Sequence, residues 1–217
     1  MKTKKLSLLI ITFLIIINYK SLICYSTNVN SFNNEILSSI TSEDITTYVS
    51  IKGTFGNKDK IKKYKNEIKD ILSQEDIYLK ESRFNDLYEN LEAANLYINY
   101  DSKYSFNLFI SMKGYNEEKI NKLVQKIEKS LSSIKSNIKI NFNIKAKLKN
   151  NIEIETEKNK VEDNLNNKGY ILETIKLSNA YSTKVSNKVE EEYYYVFSSY
   201  DTANYLVIGD PEIFISY

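Results

Sequence analysis

Four groups of neighbouring carboxylates are the residues best suited to chemistry: Glu43-Asp44, Glu75-Asp76, Glu117-Glu118 and the run Glu190-Glu191-Glu192. Two acids held about 5–10 Å apart across a cleft can hydrolyse a glycosidic bond, so a hydrolase acting on a cell-wall or glycan substrate is one function the chain could have. Nothing in the pattern indicates a cleft, and acids at a helix start are accounted for by the helix dipole.

Other catalytic chemistry has less to work with. The chain has no histidine and one cysteine, Cys24. It contains no G-x-S-x-G elbow and no phosphate-binding glycine loop. Without His and with one Cys, transition metals lack ligands, and the segment from Asn164 to Gly169 lacks the acidic spacing of a calcium loop. The expectation is therefore no catalytic residue, no metal and no cofactor.

Binding is the remaining class. The stretch EEYYYVFSSYDTANY, 191–205, places Tyr193, Tyr194, Tyr195 and Tyr200 in strand-like sequence. Alternation buries one side of a strand, so a YYYVF run exposes some of its tyrosines unless both sheet faces are covered. Exposed tyrosines suit a peptide, a glycan or another subunit. Nucleic acid fits less well. Lys139, Lys145, Lys147 and Lys149 alternate along one strand, and KDKIKKYK lies at 58–65. Yet once Lys2, Lys4, Lys5 and Lys20 are set aside, acids outnumber bases by two, which gives no electrostatic case for a polyanion.

Those four lysines belong to an address. Residues 1–26 have a basic start and an apolar run from Leu6 to Ile17, the pattern of a secretory signal. The run is shorter than the roughly 20 residues of a spanning helix. Cleavage is expected after Ser26, which would remove Cys24; an uncleaved anchor extending through Leu22 and Ile23 is the alternative. Either outcome gives an extracytoplasmic protein that touches the membrane only through this segment.

The body, 42% hydrophobic and 27% charged over the chain, is of globular composition. Periodicity predicts a short helix within 27–42, a strand at 44–55 and a helix at 58–73 capped by Asn57. A hairpin is expected at 93–100 and 104–113, then a helix at 116–135 opened by Asn116. IKINFNIKAKLK, 138–149, alternates almost perfectly and predicts a strand with one face buried and the other wet. A helix at 154–167 ends at Gly169, and strands follow at 170–177, 191–200 and 204–209. The segment 76–88 is ambiguous. Strand, helix and hairpin in each half, joined by the helix 116–135, suggest a β-α-β-β duplication of α+β class. The expected division is 1–26 address, 27–135 first repeat with linking helix, and 136–217 second repeat.

The chain ends LVIGDPEIFISY, with its one proline. Gly209 and Pro211 predict a sharp turn after a strand ending at Ile208, followed by an edge strand through 212–217, a route to a homodimer. This ending resembles the YwmB family, often labelled "TATA-box binding protein-like", whose members end in I-G-T-P-I-I-x-x-E-Y. Val207, Ile208, Gly209, Pro211, Ile213 and Tyr217 match. Asp210, Glu212 and Ser216 depart from the pattern, and the arginine expected near Phe197-Ser198 is missing. The resemblance implies two repeats in a TATA-binding-protein-like arrangement, with mainly antiparallel sheets and helices on one face. It implies a secreted or membrane-anchored protein of spore-forming, low-GC Gram-positive bacteria, with no assigned activity. DNA binding by such a sheet is a fold-level analogy only. The expected role is noncatalytic, at the cell envelope, with an envelope protein or glycan as partner.

Overall fold

The computed structural model describes residues 32–54, 59–80, 93–99, 105–132, 138–187, 192–210, 213 and 215. Asn57, the turn at 101–103, Glu190, Glu191, Pro211 and Tyr217 lie outside them, as do residues 1–26. The chain divides into two compact units, Met1–Ser39 and Ile40–Tyr217. The described part of the first is helix α1, residues 32–39, in which the Ser38 and Ser39 hydroxyls donate to the Glu35 carbonyl.

The second unit holds nine strands and three helices among its described residues. In chain order they are β1 (Ser42–Thr54), α2 (Asp59–Ser73), β2 (Tyr78–Lys80), β3 (Ala93–Asn99), β4 (Ser105–Lys113), α3 (Glu117–Ser132), β5 (Lys139–Leu148), α4 (Ile154–Asn167), β6 (Ile171–Lys176), β7 (Ala180–Ser186), β8 (Glu192–Ser199) and β9 (Asn204–Asp210). The fold is α+β. All nine strands form one mixed sheet in the order β2-β3-β4-β1-β5-β9-β8-β7-β6. Only β2 and β3 run parallel among these pairs.

The order has a simple logic. β1 and β5, the first strands of the two halves, lie side by side from Ser42 opposite Leu148 to Lys52 opposite Lys139. Each is followed by a helix, and each half returns through a set of strands whose last member, β4 or β9, pairs with its first. Residues directly opposite in antiparallel strands share a face. Val49, Ile51, Phe106, Leu108, Ile110 and Ile144 therefore point to one side, where α2 adds Ile61, Tyr64, Ile68 and Leu72 and α3 adds Ile120, Leu123, Ile127 and Leu131. The same parity runs through Leu206, Tyr195, Thr183 and Thr174 to α4, whose Glu162 accepts a bond from the Thr174 hydroxyl. The helices α2, α3 and α4 thus share one face, and the other is free of them.

Local signals fix the helix ends. The Asn116 side chain accepts from the Lys119 amide at 2.9 Å, the expected N-cap of α3. At the end of α4, Gly169 takes φ +83, its amide bonds Asn166 O and the Tyr170 amide bonds Leu165 O. That is the Schellman pattern, which glycine adopts without a Cβ penalty. Three expectations need correction. β7 was not foreseen, because in AYSTKVS the buried face includes a threonine, Thr183. β9 runs to Asp210, two residues past Ile208, because Gly209 and Asp210 still pair with β5. Ile213 and Ile215 are not in a strand; Ile215 is buried and its amide donates to Asn143 Oδ1 at 3.3 Å, so the described sheet edges are β2 and β6.

Candidate binding surface

The tyrosine run is split by strand parity. Tyr193 and Tyr195 face the helices and are 1% and 0% exposed, so they belong to the core and not to the expected surface. Tyr195 meets Phe197 edge-on at 5.8 Å, and burial holds its hydroxyl well above the ordinary tyrosine range. Tyr194 and Tyr200 remain half-exposed.

Tyr194 lies on the sheet face opposite α2, α3 and α4, in a fixed polar chain. Its hydroxyl donates to Glu192 Oε2 at 3.0 Å, and Lys184 of the neighbouring β7 pairs with Glu192 Oε1. The hydrogen bond to Glu192 raises the Tyr194 hydroxyl, while bonds from Lys184 and Tyr194 lower the Glu192 carboxyl. Tyr200 follows β8 and packs on Tyr205 of β9, ring centroids 6.1 Å apart. Lys145 of β5 sets its ammonium 4.6 Å from the Tyr205 ring centroid, a cation–π contact. Lys147 pairs with Glu43 at 3.1 Å, and the Asn150 amide also bonds that carboxylate. The Lys147 bond, first, and the Asn150 amide lower the Glu43 carboxyl. Further along the same face, Tyr48 and Phe109 stack at 5.7 Å and Ser50 donates to Asn107. Gly209 is buried beside this face, opposite Asn143 and Tyr194.

The carboxylate pairs do not converge. Glu43 is taken by Lys147, and its neighbour Asp44 accepts the Ile45 amide. Glu75 pairs with Lys126 at 2.6 Å, while Asp76 sits in a turn at φ +58. Glu118 pairs with Lys122 in the first turn of α3. Among the described residues no group of three or more acidic or thiol side chains could hold a metal ion.

An open cavity of about 600 Å³ lies between the start of α4 and the β6–β7 turn, lined in part by Ile152, Glu153, Glu155, Lys176, Asn179 and Tyr181. Sequence reading passed over it, because its walls come from four separate stretches of the chain. It also passed over Glu157, fully buried in α4, whose carboxylate accepts the Thr41 amide at 2.8 Å and the Lys160 ammonium. Alternation alone marked none of Tyr205, Lys184 and Glu192 as a surface cluster.

No family model matches the chain, and no curated protein matches it. Ten chains of solved structures match. A de novo designed protein, Foldit4, is similar over 45% of this chain and 94% of its own, at 13% identity and TM-score 0.34. The ligand-free regulatory subunit of aspartate kinase from Thermus thermophilus is similar over 78% and 87%, at 6% identity and TM-score 0.26. A hydrolase from Listeria innocua is similar over 78% and 90%, at 9% identity and TM-score 0.20. Likenesses of this size carry no inference about activity.

Proposed function

We propose that this chain is an extracytoplasmic, noncatalytic protein of the cell envelope, a binding or structural module of the YwmB type. Its partner is an envelope protein or a glycan, held on the sheet face opposite α2, α3 and α4, around Tyr200, Tyr205 and Lys145. The observation that carries this is the contrast between the two kinds of polar residue. Glu43, Glu75 and Glu118, which hydrolysis would need free and converging, are spent on separate lysines. The tyrosines of the β8–β9 region instead form a half-exposed, pre-ordered platform with a cation beside it, the composition that peptide and sugar surfaces use.

The sheet order supports a TATA-binding-protein-like arrangement of two repeats: β2-β3-β4-β1 on one side of the centre and β5-β9-β8-β7-β6 on the other. Nucleic acid is not the partner in this proposal. Lys147 on that face is taken by Glu43, and the body carries more acid than base. Among the described residues no helix is long and apolar enough to cross a membrane; membrane contact is assigned to residues 1–26.

The test is the intact mass of the natively expressed protein in cytoplasm, membrane and culture medium. A chain beginning at Thr27 outside the cell or in the wall fraction supports export, and a full-length chain in the membrane supports an anchor. A full-length chain in the cytoplasm refutes the assignment. Pull-down of wall fragments by wild type but not by a Tyr200→Ala/Tyr205→Ala variant would then place the partner.

A further inference from the structure

Strand β6 closes one end of the described sheet. Antiparallel partners exchange backbone bonds at every second residue. The Leu177 amide donates to Ala180 O at the β6–β7 turn. Ile171, Glu173 and Ile175 therefore also aim their backbone groups at β7, opposite Ser186, Lys184 and Ser182. Leu172, Thr174 and Lys176 aim theirs outward. On the side opposite α2, α3 and α4 the same segment presents Ile171, Ile175 and Leu177, which are 60%, 65% and 52% exposed. Native edges are blunted by charge, proline or brevity. The opposite edge, β2, is three residues long, whereas β6 has six residues and an apolar stripe.

We propose that β6 pairs with β6 of a second copy of this chain, antiparallel, about a two-fold axis at Thr174. The strand is complementary to itself in that register. Each outward residue finds an outward partner: Thr174 opposite Thr174, and Leu172 opposite Lys176 in both directions. On the face opposite α2, α3 and α4, Ile171 of one copy lies opposite Leu177 of the other, and Ile175 lies beside them, so the two stripes merge. The charges fit as well. β6 carries one acid and one base, Glu173 and Lys176, so two copies meet with no net charge.

Neither charge meets its own kind across the axis. Glu173 keeps Lys184 as its neighbour within the chain, and Lys176 leans 5.4 Å from the Tyr181 ring. A shift of two residues one way sets Glu173 against Glu173; a shift the other way carries Leu172 past the strand end. A strand about 20 Å long gives an interface at or below about 1,200 Å², so the dimer is weak, of micromolar affinity or weaker.

The experiment is sedimentation velocity of the full chain over a wide concentration range, with hydrogen exchange on the same samples. The expected result is a monomer–dimer equilibrium, with the amides of Leu172, Thr174 and Lys176 slowing as concentration rises while those of 78–80 do not. Ile175→Glu places a carboxylate opposite Glu173 twice and weakens association about tenfold or more. Glu173→Lys combined with Ile175→Glu restores it, since opposite charges now face each other. If Ile175→Glu loses its circular dichroism signal, Ile171→Lys replaces it. A monomer at every concentration overturns the proposal, as does a dimer indifferent to these variants, or one whose exchange protection falls elsewhere. A strand that takes up an unrelated peptide but not its own copy overturns it too.

Discussion

Replacing Glu157 by alanine should separate a buried acceptor from an ornamental ion pair. The Glu157 carboxylate is fully buried, with Thr41 N–H on one oxygen and the Lys160 ammonium on the other. Lys160 is half-exposed, and such pairs contribute at most about 0.5 kcal/mol once solvent screens them. The Thr41 amide is different: removing its acceptor forfeits a hydrogen bond to a charged group and strands a donor, together about 2–4 kcal/mol. Glu157→Gln keeps an oxygen for Thr41 but turns an NH2 donor toward Lys160, whose half-exposed ammonium can move to water, so its cost should be about 1 kcal/mol. The assay is urea unfolding of wild type and both variants followed by circular dichroism, comparing midpoints at unchanged slope. Equal losses in the two variants would refute the reasoning, because charge and not the backbone acceptor would then dominate. A Glu157→Ala midpoint within error of wild type would refute it as well, and would mean the start of β1 does not depend on α4.

Four further outcomes follow from the same geometry. Gly169→Ala has open space around a built Cβ, so its whole cost is the left-handed backbone, about 1 kcal/mol, read from the unfolding midpoint. Leu123→Ala, in the core between α3 and the sheet, should cost about 2–5 kcal/mol, and a smaller loss would mean the site collapses around the gap. The lowered carboxyls of Glu43, Glu118 and Glu192 add stability that is present above the ordinary carboxylate range and lost as pH falls through their folded values. Glu128, raised by burial, has the opposite sign and relieves a penalty as it protonates. Carbon NMR of the Tyr194 ring should show its titration moving down in Glu192→Gln; no movement would place the hydroxyl elsewhere.

Much of the fold was legible because it is written in period. β5 alternates through ten residues and buries Ile144, Ala146 and Leu148 on one side. The other side is not wet along its length as alternation predicts, because Asn141 and Asn143 there are buried too. Asn116 and Gly169 announce helix ends by chemistry that operates within one turn. β7 was illegible because Thr183 is fully buried there, and a threonine in a buried position reads as polar sequence. The tyrosine surface was half-legible. Alternation required Tyr194 to differ from Tyr193 and Tyr195, yet it could not say which parity faces the helices. That choice depends on pairing with β7 and β9, which no local pattern encodes. Tyr205 became part of the surface only because β9 lies next to β5 and brings it to Lys145.

The side-by-side placement of β1 and β5 also determines how the chain can fold. Val49 meets Phe142 some ninety residues further along, so the central ladder closes only after a long stretch of chain has been made. Contacts of such separation are slow to form, because loop closure must be accomplished before they contribute. While the first half waits, β1 has β4 on one side and an open row of amides and carbonyls on the other. A chain stopped after α3 would keep that central edge bare, and its fate is aggregation and not a half-sized native state. The two halves are therefore expected to fold as one unit, with the β1–β5 ladder at the middle of the sheet closing late.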